Sequence, residues 1–354
     1  MKKILLIDYQ YTTGGPKTVL GNLMHSGLSK TYKFVLITKS GTAGYNPIKA
    51  IQFVRYYLKR INQEHADIAY VCGLQYIGFL MTLAAKLSNV KSIVLSVHGS
   101  DWDVPEHTLR RAILKYIIEP IEVRLADSII TVCDAERKIA RSLNCARKNA
   151  YFGTIYNTFP QINYTGVPSG KLRSELHIPY DRIIVSSVGR VTERKGHQYI
   201  IEAINRIKDP SFVFVIIGDG DYLEHYRQQC NQALEERRLY LLGNRNDVYE
   251  LLKDTDIFLF ATLNENHSNA LLVAISMHCA VVATCVGGNP EVITDRESGL
   301  LIRPKDSDEI VKSLYMLKDG NFRKQLALKA FKNSSTKFSE PNTLGKLAKL
   351  FDQC

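Results

Sequence analysis

The sequence lacks any apolar run long enough to cross a membrane. Its strand-like runs, such as KKILLID and FVFVIIGDG, fall well short of the roughly 18 residues that span a bilayer. The amino terminus, MKKILLIDYQ, begins like a short signal peptide, but Asp8 and polar residues end that pattern. We therefore interpret it as a first β-strand and expect a cytoplasmic protein.

Cysteines are few and scattered. The seven cysteines are odd in number and include no C-x-x-C pair, which argues against a disulfide framework and a zinc site. Reduced thiols fit a cytoplasmic chain. The sequence also contains no recognised nucleic-acid-binding motif, so we expect no nucleic-acid partner.

Acidic residues are too few in the first half to balance the basic ones. Residues 1–165 hold 21 Lys and Arg against 11 Asp and Glu, a net charge of +10. Residues 166–354 hold 25 against 24, a net of +1. A basic half favours an anionic partner, such as a phosphorylated substrate or a membrane surface. The alternative is a merely solvated basic surface.

Short apolar, β-branched runs alternate with longer segments of helical periodicity. The predicted strands lie at 3–8, 34–39, 67–72, 92–98 and 128–133, and then at 183–188, 212–217, 239–242, 257–261 and 281–285. Such alternation predicts parallel sheets with helices on both faces. We therefore predict an α/β protein of two doubly wound, Rossmann-like domains, with the ligand in a central cleft between them.

Prolines and glycines interrupt the alternation within 158–181 and mark a connection between the two domains. The predicted domains are 1–165 and 182–335, joined by a linker at 166–181. Helical segments fill most of 306–353, and a C-terminal helix is expected within 336–354.

Chemically useful residues follow the predicted strands of the first domain. Gly14 and Gly15 allow a tight turn before a helix whose first N–H groups could hold a phosphate; a plain turn is the alternative. His98 ends the fourth strand, where side chains face a ligand site, although a structural histidine is equally compatible. Asp101 and Asp103 form a D-x-D triplet, but their place before a helix favours capping over metal binding.

The second domain places glycines and cations at its strand ends. A strand ends at Gly189, and Arg190 and Lys195 flank the loop before the next helix. Two cations there can neutralise a diphosphate, the leaving group of a nucleotide-sugar reaction; solvated loop charges are the alternative. Gly218, in VIIGDGD, is assigned to packing or to lining the site.

The most specific segment is NENHSNALLVAIS, which begins at residue 264. Its loop carries Glu265, and Ser268 or Asn269 can cap the next helix. The N–H groups of that helix start are again available to phosphates. The next strand leads to Gly287 in VGGNPEVI, where glycine permits close backbone approach.

Taken together in this order, the motifs resemble those of the retaining glycosyltransferases of the GT-B fold, family 4. The match runs nearly end to end. It includes the Gly-Gly loop, VHG, SIITVC, IYN, GR…KG, GDG, LG…NDV and the E-x7-E region followed by GGNPEVI. The family usually has a serine where Cys133 stands. The resemblance implies GT-B architecture, with the final helix packing back on the N-terminal domain.

The resemblance also implies a reaction, in which a nucleotide-diphospho-sugar gives its sugar to an acceptor hydroxyl with retained anomeric configuration. The implied catalytic residues are His98 near the reaction centre, Arg190 and Lys195 on the diphosphate, and Glu265 on the sugar. The implied donor-binding residues are Gly14, Gly15, Gly189, Gly218, Asn269, Ala270 and Val273. No metal or cofactor is implied, because the two cations replace a metal, and a UDP-sugar is expected over a GDP-sugar.

Val273 departs from the family pattern, since a second glutamate usually stands eight residues after Glu265. That glutamate accepts hydrogen bonds from the ribose hydroxyls, and bonds to a charged group contribute about 1.5–3 kcal/mol. Losing about 3 kcal/mol would weaken donor binding on the order of 100-fold. The alternatives are a non-catalytic subunit that supports a partner enzyme, and an epimerase, for which no added acid–base group is found. Val273 could also simply pack in the core beside Leu272.

The acceptor is expected on the basic first domain. The segment HTLRRAILKYIIEPIEVR, at 107–124, mixes cations with apolar residues, and FVRYYLKR, at 53–60, is similarly basic and aromatic. We place Asp101, Arg110 and Arg111 on the acceptor side and expect a lipid-linked or oligosaccharide acceptor in cell-surface polysaccharide or glycolipid assembly. Peripheral contact with the anionic inner face of the plasma membrane is expected; ordinary core-facing helices are the alternative.

Overall fold

The computed structural model describes residues 1–8, 15–39, 46–100 and 108–354, without the side chains of 15–17. The chain divides into two compact units, one of Met1–Asn157 with Glu340–Cys354 and one of Thr158–Ser339. Each unit contains a parallel sheet flanked by helices, which confirms the predicted α/β class with two doubly wound domains. Gly14 and Asp101 lie outside the described residues.

The first unit is built on a parallel sheet whose described strands run in the order β2-β1-β3-β4-β5-β6. These strands are β1 (Lys3–Ile7), β2 (Lys33–Ile37), β3 (Ile68–Cys72), β4 (Ser92–Val97), β5 (Ser128–Thr131) and β6 (Tyr151–Thr154). Every residue of β3 and β4 is buried. Because helices cover both faces, these central strands are mostly apolar on both sides, although β4 also buries Ser92 and Ser96.

Helices alternate with these strands along the chain. They are α1 (Gly15–Met24), α2 (Pro47–Glu64), α3 (Tyr76–Lys86), α4 (Leu109–Ile113), α5 (Glu119–Leu125) and α6 (Asp134–Ile139). A π-helical turn, Leu114–Ile118, joins α4 to α5. Asn46 caps the start of α2, because its side chain accepts hydrogen bonds from the amides of Ile48 and Lys49.

The second unit repeats the architecture, with its described strands in the order β12-β11-β10-β7-β8-β9. The strands are β7 (Ile183–Val188), β8 (Phe212–Ile217), β9 (Leu239–Leu241), β10 (Ile257–Phe260), β11 (Ala280–Thr284) and β12 (Leu300–Ile302). The helices are α7 (Lys171–Leu176), α8 (His197–Arg206), α9 (Leu223–Gln229), α10 (Asn231–Glu235), α11 (Val248–Lys253), α12 (Asn269–Ser276), α13 (Asn289–Val292), α14 (Ser307–Met316) and α15 (Gly320–Lys337). The α7 helix lies inside the segment expected to be a linker.

The last helix, α16 (Glu340–Gln353), belongs to the first unit. Phe351 is fully buried among the rings of Tyr32, Phe34 and Tyr70, at centroid distances of 5.4, 6.3 and 6.0 Å. Lys2 adds hydrogen bonds from its ammonium to two carbonyls at the end of the helix. The α1 and α16 helices thus cover one face of the sheet, and α2, α3 and α5 cover the other.

No helix within the described ranges combines the length and the apolar content that crossing a bilayer requires.

Candidate functional site

The second sheet reverses its strand order between β7 and β10. From β7 the chain proceeds to β8 and β9 on one side, and then returns to place β10, β11 and β12 on the other. Ligands of doubly wound folds bind at such a switch point, beyond the carboxyl ends of the strands. Lys195 follows β7 and Glu265 follows β10, so these two predicted site residues come from the two strands that flank the switch point.

Lys195 and Glu265 meet across this point. The Lys195 ammonium forms an ion pair and hydrogen bond with the Glu265 carboxylate, and the two side chains are only 15% and 13% exposed. The ammonium also lies 5.1 Å from the ring centroid of Phe260, at the end of β10. A partly desolvated, paired lysine has a defined position, and an anionic ligand arriving here competes with the carboxylate for the same ammonium.

Two glycines let the loops of the site approach each other more closely than any side chain would allow. Gly218 has φ +141°, and a Cβ there would lie 1.9 Å from the carbonyl oxygen of Gly189. Gly287 has φ +51°, and a Cβ there would lie 1.6 Å from the carbonyl oxygen of Glu265. Backbone contact therefore couples the loop after β8 to that after β7, and the loop after β11 to the one that carries Glu265.

Buried hydroxyl and amide groups, which sequence reasoning missed, join the same loops. The Asn289 side-chain amide donates to the Thr284 carbonyl at 2.9 Å, and the Thr284 hydroxyl lies 2.5 Å from the Thr262 carbonyl. The Thr262 hydroxyl lies 2.8 Å from the Asn264 carbonyl and 3.1 Å from that of Arg194. All three polar side chains are buried, so these bonds fix the loop positions that hold Lys195 and Glu265.

The other predicted cation, Arg190, is exposed and directly follows Gly189 at the end of β7. It therefore lies on the same loop as Lys195, which occupies a short 3₁₀ turn immediately before α8. Two cations on one loop beside the switch point can bind two oxygens of a polyanionic group.

The α12 helix begins directly after the Glu265 loop. The Ser268 hydroxyl caps it by accepting a hydrogen bond from the Leu271 amide at 3.4 Å, as the sequence predicted. Asn269, Ala270 and Val273 are half-buried and share the one side of the helix that the core leaves accessible. Leu272 is fully buried, whereas Val273 keeps part of its surface exposed, and the interpretation of Val273 as a core residue stays a prediction.

His197 is another residue near the site that the sequence did not indicate. It is the first residue of α8 and is 1% exposed, and neither ring nitrogen has a hydrogen-bond partner in the described structure. Burial, assisted by the charge of Lys195, lowers the pKa of His197 to about 4. The ring is therefore neutral at neutral pH and does not add a third cation to the loop.

In the first unit, His98 directly follows β4 at the carboxyl edge of its sheet, as predicted. Its Nε2 atom lies 3.1 Å from the Ser96 hydroxyl. Although the ring keeps part of its surface exposed, desolvation lowers its pKa to about 4. His98 can therefore offer a neutral hydrogen-bonding group but not a cation at neutral pH. Gly15 begins α1, and Arg110 and Arg111 lie in α4.

Among the described residues, no group of three or more His, Cys, Asp or Glu side chains could hold a metal ion. The second unit instead offers two cations, the amides of a helix start and one carboxylate. The cations and amides suit an anionic group such as a phosphate. The Glu265 carboxylate suits the hydroxyls of a neutral polar group.

Family comparisons identify both halves of the chain. Residues 169–333 match the family model described as "Glycosyl transferases group 1". Residues 22–132 match the model described as "Glycosyl transferase 4-like".

Two curated relatives are named for sugar transfer to lipid-linked acceptors. The UDP-Gal:alpha-D-GlcNAc-diphosphoundecaprenol alpha-1,3-galactosyltransferase of Escherichia coli is 26% identical over 74% of this chain and 68% of its own length. An N-acetylgalactosamine-N,N'-diacetylbacillosaminyl-diphospho-undecaprenol 4-alpha-N-acetylgalactosaminyltransferase of Campylobacter jejuni is 32% identical over 44% of this chain. The latter match spans only 41% of that relative.

Solved structures share the fold along the whole chain. HepE from Anabaena in complex with UDP has a TM-score of 0.77 and 20% identity, with both chains fully covered. Sucrose-phosphate synthase from Thermosynechococcus elongatus has a TM-score of 0.84 and 16% identity, covering 100% of this chain and 99% of the other. At these identities the comparison establishes the fold.

Proposed function

Because the chain belongs to the GT-B glycosyltransferases of the family-4-like type, we propose that it moves a sugar from a nucleotide-diphospho-sugar to an acceptor hydroxyl with retention of configuration. The observation that carries this proposal is the Lys195–Glu265 pair at the switch point of the second sheet. It brings an ammonium, which we propose binds the diphosphate, directly beside a carboxylate, which we propose binds the sugar hydroxyls.

Each group has a role in this reaction. Arg190 and Lys195 neutralise the charge that grows on the diphosphate as its bond to the sugar breaks, an electrostatic contribution that is usually the largest in such steps. The amides at the start of α12 assist them. Glu265 accepts hydrogen bonds from sugar hydroxyls and exchanges its contact with Lys195 for them. The acceptor hydroxyl attacks from the face that the diphosphate leaves and gives its proton to the departing phosphate oxygen, so no protein nucleophile is needed.

His98 acts as a neutral group near the reaction centre. Its low pKa keeps the imidazole uncharged at neutral pH, so it can accept or donate one hydrogen bond to the sugar without repelling developing positive charge there. Since two cations supply the charge that a metal would otherwise provide, we propose that the reaction needs neither a metal nor another cofactor.

We propose a UDP-sugar as the donor and a lipid-linked sugar as the acceptor. The solved HepE structures contain UDP and UDP-glucose, and the E. coli relative is named for UDP-Gal and a diphosphoundecaprenol acceptor. An acceptor of this kind would place the protein in the cytoplasm at the inner face of the plasma membrane, in polysaccharide or glycolipid assembly.

A second candidate function follows from Val273. A valine cannot accept a hydrogen bond from ribose, and this loss favours a non-catalytic subunit that keeps the fold and supports a partner enzyme. The intact Arg190, Lys195, His98 and Glu265 favour the transferase instead. Both functions require the same fold, but only the transferase predicts turnover of a sugar nucleotide.

Titration calorimetry with UDP, GDP and ADP tests the donor site. We expect UDP to bind most tightly, and Lys195→Met to weaken it at least about tenfold, because a hydrogen bond to a charged group contributes about 1.5–3 kcal/mol. Lys312→Met, an exposed lysine on α14, is the matched control and should leave the affinity unchanged. If no nucleoside diphosphate bound the folded protein, the proposal would be wrong.

Retention is tested on the product. A UDP-α-sugar should yield an α-linked product, which the proton NMR coupling of its anomeric hydrogen identifies. A β-linked product would contradict the retaining mechanism while leaving the transferase assignment in place.

A further inference from the structure

The helical segment from α4 to α5 presents five large apolar side chains to solvent. Leu109 is 79% exposed, Tyr116 57% and Ile117 52%, and Ile113 and Ile121 are each exposed by more than 40%. Helices of globular proteins normally turn such a stripe toward the core. A contiguous exposed apolar patch with cations nearby marks an interaction site more often than an ordinary surface.

The opposite side of the same segment is buried, and three charged residues lie on it beside Leu114 and Val123. Lys115 is 5% exposed, and Glu119 and Glu122 are fully buried. The Thr82 hydroxyl of α3 donates to Glu122 at 3.3 Å, and the Ser142 hydroxyl donates to Glu119 at 3.0 Å. Rolling the helix to hide its apolar stripe would break both bonds. The protein therefore holds this stripe outward.

The π-helical turn keeps the stripe in line. In an α-helix, residues four apart drift by about 40° around the axis. Glu119 instead donates its amide hydrogen to the Leu114 carbonyl, five residues back, and this wider turn offsets the drift between Ile113 and Ile117. From Leu109 to Ile121 the row extends about 18 Å at 1.5 Å per residue.

Cations surround the stripe. Arg110 and Arg124 are exposed on the same helical segment, and its acidic residues are the two buried glutamates. Arg147 lies at the end of the row, where its guanidinium donates to the carbonyls of Arg124 and Leu125 at 2.8 and 3.1 Å and pairs with Asp127 at 3.3 Å. The exposed face of the segment is therefore apolar at its centre and basic at its ends.

The other basic and aromatic segment, 53–60, does not share this property. Phe53 and Tyr57 are buried in the core, and the Tyr57 hydroxyl donates to the Asp8 carbonyl. These two rings are core residues and offer no surface to a partner. The expectation of membrane contact for the rest of this segment stays a prediction. The structure therefore distinguishes the two segments, although they are similar in composition.

We propose that the outward face of this segment, formed by Leu109, Ile113, Tyr116, Ile117 and Ile121 with Arg110 and Arg124, docks on the surface of an anionic lipid bilayer. Apolar side chains at the headgroup boundary with flanking arginines are the composition of an interfacial helix. The proposed function supplies only the reason for docking, since a lipid-linked acceptor lies in such a bilayer. Docking itself requires neither donor nor acceptor.

Vesicle flotation of the full chain tests the proposal without any substrate. Phosphatidylcholine vesicles with and without 30 mol% phosphatidylglycerol are the probes. We expect the protein to float with the anionic vesicles and to remain unbound with the neutral ones. Arg110→Gln with Arg124→Gln should lower the partition about 30-fold, since each cation near an anionic surface contributes about fivefold.

The apolar row is tested by Ile113→Glu with Ile117→Glu, which should lower the partition by at least about 30-fold. Leu328→Glu, a leucine of α15 that is 50% exposed, is the matched control and should float like the unaltered protein. UDP affinity, measured by calorimetry, should be the same in all these proteins, which separates failure of docking from failure of the donor site.

Three results would overturn the proposal. The unaltered protein could fail to float with anionic vesicles, or the isoleucine variant could float as well as the control. Light scattering could instead show a dimer that the isoleucine variant abolishes, in which case the face binds a second copy of the chain.

Discussion

Restoring an acid at position 273 should tighten nucleotide binding. Val273 lies one turn after Asn269 on the accessible side of α12, where a longer side chain reaches solvent without displacing the core. A glutamate there can accept hydrogen bonds from ribose hydroxyls, at about 1.5–3 kcal/mol for a charged acceptor. Val273→Glu should therefore lower the Kd for UDP by about 10- to 100-fold.

Two matched controls isolate the cause of this effect. In Val273→Gln the side chain has the shape of glutamate but a neutral acceptor. The gain in UDP affinity should be smaller, because neutral hydrogen bonds contribute about 0.5–1.5 kcal/mol. With 2′,3′-dideoxy-UDP as the ligand, the gain from the glutamate should vanish. Calorimetry at one temperature measures all of these affinities. An unchanged Kd for UDP in a folded Val273→Glu protein would refute the assignment of this helix side to the ribose.

Three further predictions concern the frame of the site. Burial lowers the pKa of His197 from 6.5 to about 4, so the unfolded chain binds more protons at this residue than the folded one. The free energy of unfolding should therefore fall by about 3 kcal/mol between pH 7 and pH 4 because of His197. Urea unfolding of His197→Phe should show a loss of stability with acid that is smaller by this amount. Thr284→Val leaves the Thr262 carbonyl without its buried donor and should destabilise the fold by about 1–3 kcal/mol, whereas equal stability would exclude the role given to this bond. Gly287→Ala should destabilise the protein by at least about 2 kcal/mol more than Gly243→Ala, because both glycines have positive φ but a Cβ clashes only at Gly287; equal thermal shifts would contradict this.

Ten of the twelve described strands were predicted, whereas β6 and β12, at one edge of each sheet, were not. β3 and β8 are buried along their whole length, so their apolar runs are unmistakable. β6 and β12 close the sheet edges with only four and three residues, and β6 contains a glycine. A short segment carries little pattern of its own, and pairing with the neighbouring strand, β5 for β6 and β11 for β12, makes these two segments strands.

The site was predictable as positions along the chain but not as contacts. Arg190, Lys195 and Glu265 were found because they follow strand ends, where parallel sheets bind ligands. The ion pair between Lys195 and Glu265 joins residues that are 70 positions apart in the sequence. The hydrogen bond from Thr284 to Thr262 joins residues that are 22 positions apart. No local pattern encodes such pairs. The catalytic and binding roles of the predicted residues stay predictions.

Composition also failed to distinguish the two basic, apolar segments of the first unit. Both 53–60 and 107–124 read as amphipathic. Only the structure shows that the first segment buries Phe53 and Tyr57, whereas the second buries its two glutamates. The orientation of the second helix depends on hydroxyl donors from α3 and from the segment at 141–145, and these partners are distant in sequence.

Release of UDP from a panel of UDP-glucose, UDP-galactose and UDP-N-acetylglucosamine tests the central claim most directly. We predict slow release from one of these donors by the unaltered protein even without an acceptor, and loss of that release in Lys195→Met but not in Lys312→Met. If UDP bound the protein normally and no sugar nucleotide were cleaved, with or without lipid-linked acceptors, the transferase would be contradicted and the non-catalytic subunit would take its place.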